Sequence, residues 1–81
     1  MSITYFVALP FVDSEEGPLP AEAQECQSEG QARMRAEGLA RKPEYVGALA
    51  FKRSGTPDQG HFGEPTILQT FGLVPENLDE L

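Results

Sequence analysis

Asp58, His61 and Glu64 recur at every third residue of a glycine-rich stretch, and two carboxylates with an imidazole are donors that a divalent metal accepts. The spacing matches no established signature, and a metal centre needs a fuller ligand set with hydrogen-bonded support behind it, so the three stand only as metal candidates. Cys26, the chain's one cysteine, lies two residues ahead of a helix start, and with His61 as base it would form a Cys-His nucleophile pair. Nothing in the sequence brings the two together, and a single cysteine is ordinarily a small apolar group. Tyr5, Phe6, Phe51 and Phe71 fall in strand-like stretches where aromatics stack single-stranded bases, with Arg33, Arg35, Arg41, Lys52 and Arg53 available for phosphates. The RNP-type motif is absent, and packing accounts for these rings with fewer assumptions. The run Gly55-Thr-Pro-Asp-Gln-Gly60 lacks the Lys-Ser/Thr that completes a phosphate-binding loop. The residues thus point away from an enzyme and name no cofactor.

The elements that must carry these residues are more legible. Ser28 followed by Gln31 is a capping box, in which each side chain satisfies a backbone N–H at a helix start. Glu29 in the first turn and Arg41 and Lys42 in the last complement the helix dipole, and Pro43 ends the segment. Ala32, Ala36, Leu39 and Ala40 share one helical face, while Arg33, Glu37 and Arg41 share another at ion-pair spacing. Small residues on the inner face predict close packing on a sheet, and Met34 falls off that face. Gly30 and Gly38 each cost about 1 kcal/mol relative to Ala, so the helix depends on tertiary packing.

Strands are predicted at Ile3 to Val12, apolar on both faces, at Ala21 to Gln27, at Tyr45 to Arg53 and at Thr66 to Phe71. Pro10 cannot donate to a ladder and predicts an edge or a bend at the end of the first strand. Asp13 to Pro20 is an acidic loop, and Ser54 to Pro65 is a long connection that is either functional or mobile. In the third strand Val46, Ala48 and Ala50 are expected against the helix, with Tyr45, Leu49 and Phe51 on the opposite face. The fold class is α+β: a small, mostly antiparallel sheet with one helix on one face, in the order β-β-α-β-β. It occupies residues 1–75, and residues 76–81 form an acidic tail in which Leu78 and Leu81 are placed to bury one helical turn.

The chain has 81 residues, 40% of them hydrophobic, which fits one small domain with a thin core. All six Lys and Arg lie between residues 33 and 53, where the local balance is +4, while residues 1–32 carry −6 and residues 54–81 carry −5. The expected arrangement folds the acidic flanks beside the basic centre, and it disfavours nucleic acid, which requires a concentrated positive footprint. A lone cysteine fits a reducing compartment. The apolar run Tyr5 to Val12 has no basic residue before it and is far shorter than a membrane span, so a cytoplasmic protein with no membrane partner is expected.

One helix covers one side of a sheet, yet the first and third strands are apolar on both. The exposed side therefore predicts a partner, a second copy being the economical choice because most soluble oligomers are two-fold homodimers. The functional reading is a non-enzymatic interaction or regulatory module acting through Tyr45, Leu49 and Phe51 and the basic strip of Arg33, Arg35, Arg41, Lys52 and Arg53. Its alternatives are a small metal-dependent or thiol-using enzyme and, third, a weak single-stranded nucleic-acid binder.

In Glu25-Cys26-Gln27-Ser28, Arg41-Lys42-Pro43, Gly47-Ala48-Leu49-Ala50-Phe51 and Phe71-Gly72-Leu73-Val74-Pro75 the chain resembles small uncharacterised bacterial proteins built to this plan. The resemblance implies a bacterial cytoplasmic setting and brings no site residues with it.

Overall fold

A computed structural model describes residues 3–75. The expected helix forms as α1 (Glu29–Ala40), and its start is held as the sequence requires: Gln31 N–H donates to Ser28 Oγ at 3.1 Å. The return arm of the box reaches one residue further back than expected, with Gln27 N–H donating to Gln31 Oε1 at 3.0 Å. Arg41 is the C-cap, so Arg41 and Lys42 lie just beyond the last turn.

The strands are β1 (Ile3–Val12), β2 (Leu19–Pro20), β3 (Gln24–Cys26), β4 (Gly47–Thr56), β5 (His61–Phe62) and β6 (Thr66–Gly72). All pairings among the described residues are antiparallel. β1 and β4 form the centre of a six-stranded sheet; β2 and β3 flank β1 along one edge, and β5 and β6 flank β4 along the other. This is an α+β fold with one helix packed on one sheet face.

Four details depart from the sequence reading. The strand expected over Ala21 to Gln27 is two pieces: Phe11 pairs with Pro20 and Ala8 with Gln24, so three residues on the outer strand face two on β1 and the extra one interrupts the ladder. Pro10 sits inside β1 rather than ending it. Its carbonyl accepts from Ala21 N–H at 2.8 Å, and a strand residue directs its nitrogen and carbonyl to the same side, so the missing donor faces a short edge strand while Ala48 pairs on the other side. The connection from Ser54 to Pro65 is a hairpin, in which β4 runs on to Thr56 and a 3-10 turn (Pro57–Gln59) leads to β5.

The fourth departure concerns faces. Ala48 and Ala50 meet Ala8, Ala32, Ala36 and Leu39 under the helix, as expected, but Tyr45 packs on this side and Val46 on the other. Val46 N–H bonds to Phe11 O and Val46 O accepts from Leu73 N–H, both at 2.9 Å. Its two backbone groups point to opposite neighbours, which breaks the alternation just before β4 and exchanges the faces of residues 45 and 46. Alanines at the helix–sheet contact let the two layers approach closely, and Leu39 adds about 2 kcal/mol by burial.

The second face is the larger correction. Leu49 there is 0% exposed, Phe11 1% and Phe51 8%, so the centre of the face expected to be open is closed within one chain. The chain does this after β6: Gly72 takes φ +69°, a conformation side chains disfavour, and turns the backbone so that Leu73 lies against Gly47. Val74 then packs with Leu9, Phe11, Leu49 and Phe51. A Cβ on Gly47 would collide with the Leu73 backbone, its nitrogen at 2.6 Å. The tail expected to carry a helical turn, with Leu78 and Leu81, lies outside the described residues.

Candidate functional site

The sequence-derived metal candidates occupy the hairpin at the end of the β4–β5 edge. Asp58 is in the 3-10 turn, His61 opens β5 and Glu64 follows it, all exposed. Among the described residues no three His, Cys, Asp or Glu side chains gather where a metal could be held. Cys26 lies on β3 beyond β1, whereas His61 lies on β5 beyond β4, so the sheet separates the proposed nucleophile from its base. The aromatic set is divided too. Phe6 and Phe71 pack toward the helix, Phe51 is buried on the second face, and Tyr5 meets Phe62 there, with ring centroids 6.1 Å apart.

Three of the five cations of the basic strip are paired with helix carboxylates. Glu29 pairs with Arg33 (3.3 Å) and Lys52 (3.8 Å), and Glu37 with Arg41 (2.6 Å). The carboxylates paired with these three cations come from the helix, not from the acidic loop Asp13 to Glu16. Exposed pairs of this kind contribute about 0.5 kcal/mol each, so they shape charge more than stability. Arg35 instead donates from Nη1 to the neutral Gln24 Oε1 at 2.7 Å. Arg53 is half-buried on the second face, in register with Tyr5.

Two surface features emerge that residue spacing alone did not indicate. On the second face, at the end away from Leu73, Phe62 is 53% exposed; its ring rests on Gly55, where a Cβ would meet it and also come within 2.8 Å of His61 O. Ile3, Tyr5 and Val7 run along the neighbouring strand in register with Gly55, Arg53 and Phe51, and Ile67 is in register with Phe51 from the other side. An apolar and aromatic patch results, with one arginine within it. The available signal was the Pro57-Asp-Gln-Gly60 turn sequence between two strand-forming stretches, which marks a hairpin and places Phe62 beside Gly55.

On the helix side a groove of about 780 Å³ separates β3 from α1. Gln31, Met34, Arg35, Gly38 and Leu39 line it from the helix, Lys42 from just past the C-cap, and Glu25 and Cys26 from the strand. Positions 31, 34, 35 and 38 form a helical stripe beside the buried stripe of Ala32, Ala36 and Leu39, and the two meet at Leu39, which also borders the groove. Among the described residues no helix is long and apolar enough to cross a membrane. Compared with known proteins, the chain matches no family model, no curated protein and no solved structure.

Proposed function

We propose that this protein is a non-enzymatic interaction module that associates with a second copy of itself through the open end of the second sheet face. The observation that carries the reading is Phe62, held on Gly55 and against Tyr5 yet half exposed, with the partly exposed Ile3 in register on the other side of Gly55. A contiguous apolar and aromatic patch is the surface that association buries, and aromatic residues are enriched at the centres of such contacts. A two-fold arrangement sets the same patch against itself, the commonest way soluble chains assemble. This relocates the interaction surface from Leu49 and Phe51, which the chain buries for itself, and Tyr45, which packs half-buried on the helix side, to Ile3, Tyr5 and Phe62. The free Cys26 fits a reducing, cytoplasmic setting.

Light scattering across a dilution series tests the proposal. The wild-type mass is expected at twice 8.8 kDa and to fall on dilution, while Phe62→Ser stays at the single-chain mass with an unchanged far-ultraviolet circular dichroism spectrum. A wild-type mass of one chain throughout the series would overturn it.

A further inference from the structure

The edge that β3 presents has a free backbone position. Even-numbered residues of β1 direct their backbone groups toward this edge, as Pro10 does toward Ala21, and Ala8 and Phe6 are registered with Gln24 and Cys26. In an antiparallel ladder those two therefore bond inward, and the N–H and carbonyl of Glu25 between them face away from β1, where no further strand pairs among the described residues. The free edge stops at Gln27, whose N–H is taken by Gln31.

The groove that faces this edge has features the fold itself does not require. Met34 is 75% exposed on the stripe that overlooks it, an adaptable apolar side chain outside both core clusters. Gly38 weakens the helix interior by about 1 kcal/mol, yet nothing lies within 4 Å of where its Cβ would be, so close packing does not demand it. Its missing side chain leaves the groove open along the helix. The groove keeps a net positive charge: Arg35 donates to a neutral amide and Lys42 has no ion pair among the described residues, against the one carboxylate of Glu25, whose register partner Val7 belongs to the second face. Arg33, Arg41 and Lys52 are matched by Glu29 and Glu37.

We infer that this groove binds an extended acidic peptide, which adds as a strand to the outer edge of β3. Its main chain bonds to the N–H and carbonyl of Glu25, a carboxylate meets Arg35 and Lys42, and an apolar residue lies on Met34. Strand addition supplies affinity through the backbone while side-chain pockets select the sequence. A second copy of β3 is the poorer occupant, because a two-fold pairing centred on Glu25 sets two carboxylates opposite one another, which destabilises a sheet.

The test uses fluorescence anisotropy with two labelled extended peptides in which a valine and a charged residue two positions apart share one strand face, the charged residue being glutamate in one peptide and lysine in the other. Saturable binding of the glutamate peptide, at least about tenfold tighter than that of the lysine peptide, is expected. The double variant Arg35→Glu/Lys42→Glu, made on the surface and checked by circular dichroism, is expected to reverse that preference. Glu25→Pro, which removes an outward N–H without breaking the ladder to β1, is expected to weaken binding about tenfold. Amide chemical shifts on titration are expected to move at residues 24–27, along the 31–38 stripe and at Lys42. Equal binding of the two peptides, absence of binding, or shifts centred on Phe62 would each overturn the inference. Phe62→Ser is expected to leave peptide binding intact, which separates this outcome from that of the self-association experiment.

Discussion

The two ends of β4 on the second sheet face are built alike and finished differently. At each end a glycine leaves the strand surface bare and another part of the chain settles on it: the Leu73 backbone on Gly47, the Phe62 ring on Gly55. At the first end the core is closed, since backbone lies across it and Leu49 is fully buried beside it, while the Leu73 side chain itself stands 63% exposed. The second keeps half of an aromatic ring in solvent. A backbone lid held by a hydrogen bond just past β6 closes a core; a side-chain lid on a two-residue strand leaves apolar surface for something else to cover. The contrast separates an end whose core is closed by backbone from an end covered only by a half-exposed ring.

The strongest way to break the contrast is Leu49→Ala, which opens a cavity under the closed end and is expected to cost about 2–5 kcal/mol in urea unfolding. A loss below about 1 kcal/mol would mean that this end is not closed. Gly47→Ala is expected to cost about 1–3 kcal/mol, because its methyl group meets backbone that cannot rotate aside. It should also speed hydrogen exchange at the Leu73 amide, which bonds to Val46 O. Gly55→Ala is the smallest of the three, about 1 kcal/mol: the half-exposed ring swings off the new methyl group and only the His61 carbonyl has to yield. Loss of the Tyr5–Phe62 ring-current shifts would report that movement, and a cost equal to that of Gly47→Ala would erase the distinction between the ends.

Local chemistry made much of the fold legible. Ser28 and Gln31 predicted the helix start because a cap is a contact between near neighbours, and the spacing of Ala32, Ala36 and Leu39 predicted its buried stripe because periodicity alone sets which side faces inward. The alternation of β1 and of Ala48 to Phe51 was readable for the same reason. The exchange at Tyr45 and Val46 was not, since it arises from hydrogen bonds to Phe11 and Leu73, residues far away in the chain. Nor was the division of the second strand, which follows from one surplus residue in a ladder whose register the sequence does not display.

The candidate site divides in the same way. Asp58, His61 and Glu64 attracted notice through spacing, but a regular interval in a hairpin does not aim three side chains at one point. The surfaces that matter for the proposals, Phe62 over Gly55 and the groove between β3 and α1, are made by pairing across the sheet. By itself the sequence determined the helix, its cap, its inner face and the charge of each segment, because those depend on interactions within a few residues. Only the tertiary structure decided which apolar surface stayed open, because that depends on where the chain returns after Gly72 and which strand is left without a neighbour.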